Sequence, residues 1–205
     1  IPALSFSELV AVFGNEMQMI GTVAVYTPDT NLIERSGGAV KFAQYTIKRL
    51  GGTIKIGRVL GTAETENPEE MVLRFAEGLF ANAQKQGKWN FGVSVYSMAG
   101  EKKRHFLARS LAKAIKMSAK EYGIHPRFVQ GEGGLLSSVQ VEKNGLVAGG
   151  ANTSGVEFVL IEDDLVGYII GTTLAVQPFE DLSARDFGRP MRNAKSGMLP
   201  PKVAA

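Results

Sequence analysis

From Thr22 to Val176, short β-branched and aromatic runs alternate with longer segments of helical apolar spacing, and glycines punctuate the joins. A side-chain period of two argues for strand and a period near 3.6 for helix, so a chain that switches between them repeatedly must pack helices against sheet. Strands are expected at Thr22 to Thr27, Thr53 to Val59, Asn90 to Tyr96, Arg127 to Val129, Ser137 to Glu142, Glu157 to Glu162 and Tyr168 to Val176. Helical spacing places Val40, Ala43, Ile47 and Leu50 on one face before Gly51-Gly52. A second helix is expected from Asn67-Pro68-Glu69-Glu70 to Gln86, with Asn67 as its cap and Pro68 at its first position. A third runs from about Lys103 to Tyr122, bounded by Gly123 and Pro126. Near the start, Ser5 and Glu8 form an S-x-x-E capping box flanked by Leu4 and Leu9, which predicts a helix over Phe6 to Phe13 closed by Gly14.

The expected fold class is α+β in two units. Residues 1–66 form a small unit with its own sheet, and residues 67–177 form a second that ends in strands. Residues 178–205 mix charge, polar groups and proline without a sustained period and read as an extended connector. Lys202 to Ala205 read as the opening of a helix with Pro201 in its first turn, so a longer protein is expected, of which this is a piece.

Composition narrows the chemistry. At 205 residues and 44% hydrophobic, the chain has ample apolar content for a core. No apolar run approaches the roughly 20 residues a membrane-spanning helix needs, so no membrane partner is expected and the assigned compartment is cytoplasmic. Without cysteine there is no disulfide framework, thiolate metal site or thiol nucleophile in these residues. Only two histidines are present, His105 and His125, each read as a boundary residue rather than a general base.

The formal charge of +3 hides a strong asymmetry. Lys102, Lys103, Arg104, Arg109, Lys113, Lys116, Lys120 and Arg127 share their segment with one acid, Glu121, a local charge of +7. Asp181 to Ala205 adds five bases and two acids, or +3, which leaves −7 for the remainder. A basic middle on an acidic background points to a polyanionic partner.

The basic segment carries the strongest physical signal. Arg109, Lys113, Lys116 and Lys120 are four, three and four residues apart and therefore stack as one stripe on a helix, about 16 Å long at 1.5 Å per residue. Leu107, Leu111, Ile115 and Tyr122 give the same helix an apolar side. Such a stripe can follow a sugar-phosphate backbone and release its counterions. Lys102, Lys103, Arg104 and Arg127 extend the candidate RNA-binding set, and Arg185, Arg189 and Arg192 in the connector form a second, more weakly signalled group.

Other constellations read as structural. Gly131-Glu132-Gly133-Gly134 lacks the full G-x-G-x-x-G pattern and the strand-before, helix-after context of a dinucleotide loop, and reads as a turn. The glycines between 149 and 155 read the same way. Glu162-Asp163-Asp164 reads as a solvated hairpin turn, and Trp89 as packing beside a strand. No G-x-S-x-G elbow or other catalytic set is present, so no catalytic, cofactor-binding or metal residue is assigned.

The run Asp186-Phe187-Gly188-Arg189-Pro190-Met191-Arg192-Asn193-Ala194-Lys195-Ser196-Gly197-Met198-Leu199-Pro200-Pro201-Lys202-Val203-Ala204 resembles the junction that precedes the catalytic domain in THUMP-containing RNA methyltransferases. Within them it is most similar to the tRNA guanosine-10 N2-methyltransferase group of archaeal type and its bacterial relatives. Leu50 to Gly57 and the early Leu4 to Gly14 segment resemble that group's N-terminal ferredoxin-like domain. Arg104 to Ala114, with Pro126-Arg127-Phe128-Val129, is similar to its THUMP domain.

The resemblance implies a ferredoxin-like domain, a THUMP domain and a linker that grip tRNA near its acceptor end. It further implies a separate Rossmann-like catalytic domain that binds S-adenosylmethionine and methylates an exocyclic guanine nitrogen. The glycine loop for that cofactor and the family's catalytic motif are not found in this sequence, and Leu199-Pro200-Pro201 is not that motif. The piece is therefore expected to handle RNA and to be inactive alone. Three alternatives remain open: an RNA adaptor that stands alone, a THUMP module joined to thiolation or deamination chemistry, and a domain for acidic ligands with no RNA role.

Overall fold

The computed structural model describes residues 17–50, 53–63, 68–82, 88–148, 155–181 and 184. The helix expected at Phe6 to Phe13, most of the second glycine run, and Arg185, Arg189 and Arg192 lie outside these residues.

Two strands, β1 (Met17–Ile20) and β2 (Val23–Tyr26), form an antiparallel hairpin whose two-residue turn holds Gly21 at a φ of 57°. Helix α1 (Thr30–Arg35) follows, started by the Asp29 carboxylate, which accepts from the Asn31 N–H at 2.9 Å. Helix α2 (Ala39–Arg49) buries Phe42, Ala43, Thr46 and Ile47, with Leu50 just beyond. Val40, expected on that face, is only partly buried against it.

Five strands form the main sheet: β3 (Lys55–Ala63), β4 (Lys88–Tyr96), β5 (His125–Val129), β6 (Gly155–Asp163) and β7 (Gly167–Val176). Their order is β3-β7-β6-β4-β5. β3 and β6 each pair with β7 antiparallel, whereas β4 pairs parallel with both β6 and β5. The protein is thus mixed α and β, as its alternating periods require. The strand read from Thr53 onward with the first unit is hydrogen-bonded to β7, from Lys55↔Val176 to Ala63↔Tyr168, and so belongs to the main sheet.

Helices α3 (Glu69–Asn82) and α4 (Glu101–Glu121) cover one face of this sheet. Their contact residues, Val72, Ala76, Ala108, Leu111, Ala112 and Ile115, pack on Phe91, Val93, Phe158, Leu160 and Ile170 in one buried cluster. Trp89 takes part in this core: its ring stacks on Phe91 at 5.3 Å and meets the edge of Phe80 at 4.9 Å.

The strand expected at Ser137 to Glu142 is instead the helix α5 (Ser138–Lys143). Ser137 and Gln140 exchange side-chain and backbone hydrogen bonds in a capping box. Leu136 and Val141 close it as a hydrophobic staple inside a second buried cluster on the opposite side of the sheet. The alternation of Val139 and Val141 mimics a strand, but the cap sets the period. Among the described residues no helix is long and apolar enough to cross a membrane.

Candidate nucleic-acid interface

Helix α4 is the longest described element, and both of its ends are set by glycine. Gly100 precedes it, and Gly123, at a φ of 72°, closes it. The Gly123 N–H donates to the Lys120 carbonyl at 3.0 Å and the Ile124 N–H to the Ala119 carbonyl at 3.0 Å. That pair of bonds is a Schellman motif, and the burial of Ile124 supplies its usual apolar contact.

Small residues on the inner side let the helix approach closely: Ala108, Ala112 and Ala119 alternate with Leu111 and Ile115, all buried. Leu107 is half-buried, and Tyr122 keeps 40% of its surface exposed while its ring lies 5.7 Å from that of Phe80.

The outer side carries the charge. Arg109, Lys113, Lys116 and Lys120 are all exposed and form no ion pair with another described residue. Lys116 also rests its ammonium 5.9 Å from the centre of the Phe128 ring, which ties the stripe to strand β5. Lys102 is exposed and lies seven residues, or two turns, before Arg109, so it continues the same row. The row then runs from Lys102 to Lys120, about 27 Å at 1.5 Å per residue. Its only helical acids, Glu101 and Glu121, stand at the two ends.

The remaining basic residues are placed differently. Lys103 pairs with Glu162 at 3.1 Å, across from the end of β6. Glu162 also accepts a hydrogen bond from the Ser97 hydroxyl. That bond holds its carboxyl below the usual carboxylate range against the opposing effect of burial, with Lys103 adding to the depression. Arg104 is half-buried and turned inward. Its guanidinium donates to the carbonyls of Gly133, Ala99 and Ser97 at 3.3, 3.3 and 3.5 Å. It therefore fixes the loops around the start of α4 rather than extending the exposed row.

Arg127 is exposed, but strand alternation sets it on the side of β5 opposite Phe128, the ring that faces α4. There it borders a depression of about 440 Å³ with Asn90, Lys143, Asn144 and Phe179. The sheet separates it from the stripe.

The glycine loop is a tight turn. Gly133 and Gly134 have φ of 57° and 81°, as the two central residues of a type I′ turn require, and the Leu135 N–H donates to the Glu132 carbonyl at 3.0 Å. A Cβ on Gly134 would come within 2.7 Å of the Arg104 backbone, and one on Gly131 within 2.1 Å of the Leu135 carbonyl oxygen. The inner side of the turn is packed by its own backbone and by α4, and its outer side borders a depression of about 850 Å³ together with Lys102, His105 and Gln130. Asp163 caps its own turn, accepting from the Leu165 and Val166 N–H groups at 3.0 Å each. Among the described residues no three His, Asp or Glu side chains gather as a metal site.

His105 lies at the stripe's edge, its Nε2 2.9 Å from the Gln130 amide nitrogen. The Gln130 N–H can only donate, so this His nitrogen is the acceptor. His125 is exposed at the start of β5. Sequence reasoning missed Lys102 as part of the row, although its seven-residue spacing to Arg109 is visible, and it passed over Phe106, which is 74% exposed on the same side. No protein-family model matches the chain, and no curated protein matches it.

Proposed function

We propose that this chain is the RNA-gripping part of a tRNA guanine-N2 methyltransferase that uses S-adenosylmethionine. In this reading a ferredoxin-like unit, a THUMP domain built on the main sheet with β3 included, and a linker hold the acceptor end of a cytoplasmic tRNA. They offer the target base to a catalytic domain carried on another part of the protein. The observation that carries the reading is the row of exposed cations on α4, without an acid along its length until the helix ends. Its length suits several consecutive phosphates.

Contacts of this kind supply affinity and register without reading bases, so discrimination rests on the shape of the folded RNA. Lys102, Arg109, Lys113, Lys116 and Lys120 serve as the phosphate contacts. Arg104 holds the loops that frame the helix start, and Lys103 contributes a charge already shared with Glu162. No step of methyl transfer is assigned to these residues; S-adenosylmethionine belongs to the catalytic domain in this reading. The test is direct binding of an unmodified tRNA transcript at moderate salt, compared with a DNA duplex of equal length. Retention of tRNA in preference to DNA supports the reading, and no retention of tRNA overturns it.

A further inference from the structure

Two large apolar side chains, Phe106 and Met117, are exposed beside the cations of α4, and of these only Phe106 carries a flat ring. Phe106 is 74% exposed, while the neighbouring Leu107 takes the half-buried position at the helix edge. Helical spacing sets Phe106 one turn from Lys102 and from Arg109 and two turns from Lys113. Among the described residues no other ring packs on it.

The surroundings of this ring select its partner. A purely apolar protein surface laid over Phe106 would strip water from the adjacent ammonium and guanidinium groups without pairing them, which is costly. An unpaired nucleotide satisfies both demands at once, with a flat base for the ring and phosphates for the cations. A base inside a duplex is closed to such a ring by its neighbours in the stack.

We infer that Phe106 is a stacking platform for an unpaired nucleobase of the RNA whose phosphates lie along Lys102, Arg109 and Lys113. The inference rests on the RNA-binding reading above and adds to it a preference for a single-stranded end or loop beside the gripped helix.

The test uses the full chain and two kinds of RNA probe: a blunt hairpin, and the same hairpin with a short single-stranded extension at its 5′ or 3′ end carrying 2-aminopurine. The wild type is expected to bind an extended probe about tenfold more tightly than the blunt one and to change the probe's fluorescence on binding. Phe106→Ala loses that preference and the fluorescence change while its affinity for the blunt hairpin stays the same, and Phe106→Trp retains both. Because the ring is exposed, the variants keep the wild-type fold, which circular dichroism checks. Equal binding of the probes by the wild type, or an undiminished preference in Phe106→Ala, overturns the stacking platform and leaves the phosphate-binding row standing. Failure of the wild type to bind either probe overturns both.

Discussion

The Lys55 ammonium lies 2.6 Å from the Glu157 carboxylate, which is fully buried in the middle of the sheet. Ser94 and Thr173 each donate a hydroxyl to that carboxylate at 2.5 Å, and Lys55 also donates to the Leu136 carbonyl at 2.6 Å. One residue from each of four adjacent strands, β3, β7, β6 and β4, thus meets at a single charge. The belt fixes β3 into the main sheet and joins it to the loop that leads into α5.

Breaking this pair is predicted to be among the most damaging single changes in the described residues. Lys55→Met leaves a buried carboxylate with only two hydroxyl donors, and the expected cost is about 3–5 kcal/mol. Chemical denaturation measures it. A Lys55→Met/Glu157→Gln double variant should lose less than the two single changes summed, because the charges are coupled. RNA affinity, measured where the variant remains folded, should not change, since the belt lies on the side of the sheet away from α4.

Two surface carboxyls make opposite contributions on the acid side. The folded-state pKa of Glu162 is depressed, chiefly by the Ser97 hydroxyl, so its stabilisation is present above its usual value of 4.5 and is lost as pH falls through the folded value. Glu142 is raised, first by burial and then by Glu180 and Asp181, so its ionised form is disfavoured in the folded state and stability falls as pH rises from 4.5 through its folded pKa. Ser97→Ala should therefore return Glu162 toward its usual range and weaken the acid-side loss of stability. Glu142→Gln should stabilise slightly at neutral pH, a gain that vanishes below about pH 4.5. Carboxyl resonances followed by NMR, together with unfolding midpoints across pH, check both signs.

Helix α5 depends on its cap more than on its length of six residues. Ser137→Ala removes the acceptor for the Gln140 N–H and should cost about 1 kcal/mol. Faster amide hydrogen exchange should be confined to α5 and to the Leu136, Val141 and Leu146 cluster it seals. Exchange in α4 should be unchanged.

The elements legible in the sequence were those whose period and punctuation agree. In α4, the apolar spacing from Leu107 to Ile115, the cation spacing from Arg109 to Lys120 and the terminal Gly123 all indicate the same helix, and its outer side is exposed as that spacing requires. Conflicting signals account for the misreading at Ser137, where valine alternation suggests strand and S-x-x-Q suggests a helix start. A short helix has too few residues for its period to outweigh the alternation. The partner of β3 was not legible because strand pairing is long-range: Lys55 and Val176 meet across more than half the chain. Arg104 and Arg127 counted as cations in the sequence, yet three backbone carbonyls claim the first and the pleat turns the second to the other side of the sheet.

The central claim is that the exposed row on α4 binds RNA phosphates, and the salt dependence of tRNA affinity tests it most directly. Wild-type chain is compared with a variant carrying Arg109→Glu, Lys113→Glu, Lys116→Glu and Lys120→Glu, four exposed positions without a described ion pair, and circular dichroism checks that the variant is folded despite the lost Lys116–Phe128 contact. The predicted wild-type plot of log affinity against log salt is steep. In the variant affinity falls and the slope flattens by about three to four, close to 0.9 for each lost phosphate contact. Equal affinity and equal slope in the two proteins would contradict the account and leave the row as a solvated helix face.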